Sequence, residues 1–191
     1  MEKLQKILKP VVFQNTVSNI LVGIPRVLGG LSLSFEFGSP KFGMPWSINE
    51  ELRLFQVADW FPEDVAEFGA PYSWSPWLFA WLGAATEAIG GLLLAFGIGT
   101  RVIASFLGIT MCNAIFLEKW PKAIEYGSSW PLLPAIGFLW IAIYSLVLGS
   151  GKYGVDYLLH KKVSSRQLYG WISIWFLFYR NLVSIASVLK L

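Results

Sequence analysis

The chain has 191 residues, of which 55% are hydrophobic and only 14% charged. Soluble domains carry roughly 45–50% apolar and about 25% charged residues. So few charges cannot cover the surface of a soluble domain, and the apolar excess excludes a disordered chain. An all-α integral membrane protein is predicted. The net charge of +3 is small and scattered along the chain, so the expected partner is the lipid bilayer and not nucleic acid. One cysteine, Cys112, and one histidine, His160, leave no CxxC pair and no multi-imidazole set. No structural zinc, haem or copper site and no bound cofactor is therefore expected.

Residues 1–10, MEKLQKILKP, are a short basic head. The apolar stretch behind it is broken by Gln14, Asn15 and Asn19, and no small-residue cleavage site follows. That pattern predicts an uncleaved first span at 17–38. Pro25 and Arg26 lie near one end of it and Glu36 near the other. In the proline-containing connection that follows, Ile48, Leu52, Phe55, Ala58, Phe61, Val65 and Phe68 recur at helical spacing. The remaining positions hold Glu50, Glu51, Asp59, Glu63, Asp64 and Glu67. A helical cap on the membrane surface is predicted at 46–69, with Pro62 opening a second short helix. A mobile loop is the alternative.

Further spans are predicted at 76–97, 101–117 and 130–148. The turn Gly97-Ile98-Gly99-Thr100 makes the second and third an antiparallel hairpin. Residues 118–129 form a polar connection. After the fourth span, Leu168 to Phe178 is apolar but runs into Arg180 and Asn181. A central arginine costs roughly 2.5–3.5 kcal/mol on insertion scales. Residues 160–191 are thus expected to form an amphipathic interfacial helix, not a fifth span.

The basic residues set the orientation. With the amino end inside, inner segments hold Lys3, Lys6, Lys9, Arg101, Lys152, Lys161, Lys162 and Arg166, against Lys41, Arg53, Lys119 and Lys122 outside. Both termini are predicted cytoplasmic and the cap extracytoplasmic. Trp46, Trp60, Trp74, Trp77, Trp120 and Trp130 then gather at the outer interface. They form either an aromatic belt or the rim of a ligand cleft under the cap.

Among candidate site residues Glu87 is the most informative, because a carboxylate near mid-span must be protonated, paired or both. Ala80, Ala84, Gly91 and Ala95 share its helical face and allow close approach of another helix. Glu87 is either a buried packing contact or a proton-handling or ligand-binding group. Arg26, set inside its helix, calls for a carboxylate or a lipid phosphate. Arg101 suits snorkelling to headgroups. Glu36 and Lys41 either pair with each other or line an outer pocket able to hold a quinone ring. Asn113 suits packing between helices. No glycine-rich nucleotide loop is present.

Three blocks carry a family resemblance. They are Arg26-Val27-Leu28-Gly29-Gly30 with Gly38-Ser39-Pro40-Lys41; Glu87-Ala88-Ile89-Gly90-Gly91-Leu92-Leu93-Leu94 with Gly97, Thr100 and Arg101; and Gly149-Ser150-Gly151-Lys152-Tyr153-Gly154-Val155-Asp156. Their order over about residues 22–159 resembles the DoxX family of small bacterial membrane proteins. Glu36 stands near a position where the family often carries histidine. The acidic cap and the tail after Asp156 lie outside the family's common core. The resemblance implies a four-helix fold in a bacterial inner membrane and, for some members, a link to quinone-coupled oxidation. The expected function is an accessory quinone- or lipid-interacting subunit of a membrane redox complex, working with other membrane proteins. Glu87 would handle a proton or bind the head group, Arg26 or Arg101 would supply the countercharge, and Glu36 with Lys41 would line the outer mouth. The alternatives are a small proton-coupled transporter or channel, and a scaffold without small-molecule chemistry.

Overall fold

Asn15 and Asn19, which interrupt the first apolar run, are the residues that start its helix. In the computed structural model, which describes residues 10–162, the Asn15 side chain accepts the N–H of Val17 at 2.9 Å. Asn19, 2% exposed, accepts the N–H of Phe13 at 3.0 Å and donates to the carbonyls of Phe13 and Asn15 at 2.7 and 2.8 Å. These bonds satisfy groups that the first helical turn would leave open.

Four helices are long and apolar enough to cross a membrane: α1 (Thr16–Gly38), α3 (Pro76–Phe96), α4 (Thr100–Glu125) and α5 (Trp130–Leu148). The chain is a multi-pass membrane protein built as a four-helix bundle. The short α2 (Trp60–Ala66) lies in the cap, and α6 (Val155–Lys162) follows the last span. Residues to Tyr157 make one compact unit, and those from Leu158 belong to a second. The expected tail helix at 160–191 and the basic head fall almost entirely outside the described residues; His160 is exposed on α6.

Three spans end close to their predicted limits, but α4 runs past Leu117 to Glu125. The polar connection predicted from residue 118 is helical for most of its length. The reason is a π-helical stretch at Ala114–Lys119, which loosens the regular ladder just ahead of Pro121. Pro121 falls at the start of the next helical turns, where its missing N–H costs little. Similar π stretches occur at Leu33–Gly38 in α1 and Thr86–Gly90 in α3.

The helices α1 and α3 pack antiparallel through small residues. A Cβ on Gly30 would lie 2.5 Å from the Gly91 carbonyl oxygen and 2.8 Å from the Ala95 nitrogen. The Ser34 hydroxyl donates to the Ala88 carbonyl at 2.6 Å. On the other side, Ala104, Leu107 and Met111 of α4 meet Ala135 and Ala142 of α5, with Leu33 and Leu94 completing one core. The α1 helix ends at Gly38, against Ala88, midway along α3. The first half of α3 is covered instead by the cap, through Phe42, Val57 and Val65 packed with Ala80 and Ala84.

The cap is not the helical stripe predicted at 46–69. Only Trp60–Ala66 is helical, and Pro62 sits inside its first turn. Residues 41–58 instead form two arms held by backbone bonds: Gly43 N–H to Gln56 O at 2.8 Å, Phe55 N–H to Gly43 O at 2.7 Å and Ala58 N–H to Lys41 O at 2.9 Å. This pairing turns Phe42 and Val57 into the core and leaves Ile48 and Leu54 exposed. Strand-like pairing explains the burial better than helical period, because Phe42 lies outside the stripe yet is its most enclosed neighbour.

The turn joining α3 to α4 is closed from a distance. Gly97 ends α3 at φ +72, a conformation open to glycine. The Asp156 carboxylate then accepts three bonds: from Gly99 N–H at 2.8 Å, Thr100 N–H at 2.9 Å and the Thr100 hydroxyl at 2.8 Å. It caps α4 although it lies beyond α5 in the chain. Asp156→Ala is expected to destabilise the protein by about 2 kcal/mol, and Thr100→Ala by less, since one of three bonds is lost. Unfolding by a denaturing detergent would read both; equal losses would show that the hydroxyl bond dominates.

Candidate functional site

The break between α1 and the cap creates the site. The chain leaves α1 at Gly38 and returns immediately, with Lys41 N–H bonded to the Gly38 carbonyl at 3.1 Å. This places Lys41 over the π stretch of α3, where Lys41 Nζ donates to Glu87 Oε2 at 2.5 Å. The Glu87 side chain is 7% exposed and that of Lys41 21%. The same ammonium lies 5.0 Å from the centre of the Phe61 ring on α2, a favourable cation–π position.

The pair borders a cavity of about 280 Å³. Its walls come from α2 (Phe61, Val65), α3 (Phe79, Gly83, Thr86) and α4 (Phe106, Thr110, Asn113, Glu118). The Thr86 and Thr110 hydroxyls donate back to carbonyls of their own helices at 2.7 and 3.0 Å. The side chains left to offer hydrogens to an occupant are Lys41, Tyr72 and Asn113. At the far wall Glu118 is held by Lys119 at 2.5 Å and by Lys122 at 3.1 Å. Leu82, Phe106 and Ile109 also line the cavity and are 45%, 55% and 61% exposed. The cavity therefore opens sideways between α3 and α4, toward the bilayer.

Residues 50–120 match the family model for DoxX. Over this stretch the chain is similar to the DoxX family. Comparison with curated proteins and with solved structures yields no match. The DoxX match holds the block from Glu87 to Arg101, while the blocks at 26–41 and 149–156 lie outside it. It also takes in most of the cap, including α2, which the sequence resemblance had placed outside the family's core.

Of the six candidate residues, the fold brings Lys41, Glu87 and Asn113 to one cavity. The countercharge to Glu87 is Lys41, and neither Arg26 nor Arg101. Arg26, 2% exposed, has no carboxylate partner among the described residues. Its Nη1 donates to the Leu94 and Ala95 carbonyls, the latter at 2.7 Å, and caps the end of α3. Arg101 is half-buried and donates to the Val147 carbonyl at 3.0 Å, tying α4 to α5. Glu36 is exposed and does not pair with Lys41. Thr110, Glu118 and the aromatic wall were not singled out from sequence. A carboxylate four residues before a lysine, Glu118 before Lys122, would have been the cue for α4 continuing as helix, but Glu118-Lys119-Trp120-Pro121 reads as a loop.

A larger crevice of about 670 Å³ runs along α1 past Ile24, Leu28 and Phe96. Arg26 lines it with Nη1 bonded to helix carbonyls and its buried Nε without a partner, but no carboxylate lines the crevice beside it. The Lys41–Glu87 cavity is thus the better candidate site.

Proposed function

We propose that the chain is an accessory subunit of a membrane redox complex that holds the ring head of a quinone or quinone-like lipid against Lys41 and Asn113. The observation that carries this reading is a small aromatic-walled cavity with a buried ion pair at its inner end and an opening toward lipid. Ligand sites combine apolar walls with a few placed polar groups in just this way. The cavity lies at the lower limit of the usual range of about 300–1,000 Å³, which suits one ring. Lys41 and Asn113 donate to ring oxygens, and Phe61, Phe79 and Phe106 enclose the ring. Converting a quinone to its quinol takes two electrons and two protons. In this reading the electrons come from a separate oxidoreductase, and this chain binds and orients the ring and holds a proton on Lys41 Nζ. The excess of Lys and Arg on one side supports cytoplasmic termini in a bacterial inner membrane, with the cap outside.

A transporter built on Glu87 is less well supported. Passage beyond Glu87 along α1 and α3 meets the backbone contact at Gly30 and Gly91.

The test is to fill the cavity without touching its polar groups. A Cβ on Gly83 meets only the Phe61 ring, at 3.8 Å. Gly83→Leu is expected to lower the quinone extracted with the purified protein by about tenfold. Its stability should hold or rise slightly, because leucine is favoured over glycine in helices by up to ~1 kcal/mol. Mass spectrometry of the extract checks this; wild-type quinone content in the variant would overturn the reading.

A further inference from the structure

The candidate cavity does not end at its side opening. Leu82, Thr86 and Phe106 also line a second crevice, of about 210 Å³, along the seam between α3 and α4. From these shared residues it runs away from the cap, past Gly90, to Leu93 and Ile103. Gly90 forms its floor: a Cβ there would meet Ile103 at 3.4 Å. From Leu82 to Leu93 the helix advances about 16 Å at 1.5 Å per residue. The crevice is apolar throughout, with the Thr86 hydroxyl turned back to the Leu82 carbonyl.

We propose that this seam holds the tail of the ligand whose head sits at Lys41, so that the occupant is a single-chain lipid taken sideways from the bilayer. The proposal rests on the ring-head reading above and adds the tail to it. Two features restrict the class. At about 210 Å³ the crevice has room for one slender chain, which disfavours two-chain phospholipids. Lys41 is already neutralised by Glu87 at 2.5 Å, so the pair carries no net charge with which to attract an anionic head. An uncharged head bearing acceptor oxygens remains. Because lipid tails are as apolar as leucine, the seam gains little from burying the chain. Its role is geometric: the tail must leave the cavity along this line for the head to reach Lys41.

The experiment compares 2,3-dimethoxy-5-methyl-1,4-benzoquinone, without a tail, with the same ring carrying a decyl chain. Both are titrated against the full-length protein in mild detergent. Leu93→Trp fills the crevice about two helical turns from Glu87. It is expected to leave the tail-less ring within about twofold of wild type and to weaken the decyl form about tenfold. Ile103→Trp blocks the same seam from the opposite helix and should act alike, so one variant's failure to fold does not decide the matter. If both probes weaken together, or neither does, the seam is not the tail path while the head site stands. If wild type binds neither ring, the head reading fails, and the seam is then tested by a decyl alcohol bearing a diazirine. Cross-links at Leu93 or Ile103 uphold it. Labelling no denser there than at exposed Val102 and Val147 overturns it.

Discussion

Lys41→Met is expected to destabilise the protein by about 3–5 kcal/mol, the usual cost of leaving a buried charge without its counter-ion. Glu87 is the member at risk, since its side chain is 7% exposed while Lys41 keeps 21%. The asymmetry predicts an ordering of variants. Glu87→Leu should cost less than Lys41→Met, because the released ammonium can still turn toward water or lie over Phe61. The double variant Lys41→Met/Glu87→Leu should recover most of the loss, since apolar replacement of a buried pair is often neutral or stabilising. Titration with denaturing detergent measures all three. A double variant no more stable than Lys41→Met would show that the two residues are not one energetic unit. Recovered stability without recovered quinone would separate the pair's structural role from its binding role.

Gly30→Val is expected to cost about 3 kcal/mol or more, above the common range for overpacking. The added carbon would lie 2.5 and 2.8 Å from backbone atoms of α3, and backbone cannot rotate aside as a side chain can. The two helices must separate, and the Ser34 bond to the Ala88 carbonyl lengthens with them. Gly38→Ala should act in the same direction, because a Cβ there would lie 2.5 Å from Ala88 Cα. Gly23 on the same helix is the control, since nothing lies within 4 Å of its Cβ position. Gly23→Val should change stability by less than ~1 kcal/mol. Equal losses at Gly23 and Gly30 would mean that helix propensity, and not contact, sets the cost.

Much of the membrane architecture was readable because hydropathy and length are properties of continuous segments. Ala80, Ala84, Glu87, Gly91 and Ala95 were also assigned to one helical face, and all five are buried. The pairing of charges was not readable. Lys41 follows Gly38 in a loop, and its reach to Glu87 depends on α1 stopping opposite Ala88, a tertiary fact with no local sequence mark. Glu36 stands nearer to Lys41 in sequence but is exposed and makes no ion pair with it. Arg26 misled for a related reason: a buried arginine needs acceptors, and helix-end carbonyls serve as well as a carboxylate. The cap misled because Ile48, Leu52 and Phe55 fit a helical period by spacing, while backbone pairing of its two arms settled its form.

The three π stretches have a consequence for how the site is specified. Such a stretch is what one extra residue makes of an α-helix. Two of them supply cavity walls, through Thr86 and Glu87 and through Ala114 and Glu118, and the third ends three residues before Lys41. Deleting a single residue from any of them would restore a regular helix and shift side chains within the stretch by one position, about 100° around the axis, while those beyond keep their facing. Glu87 or Glu118 would then swing off the cavity with every side chain unchanged in kind. In this protein the site is a matter of counting as much as of chemistry: three helices must each be one residue too long.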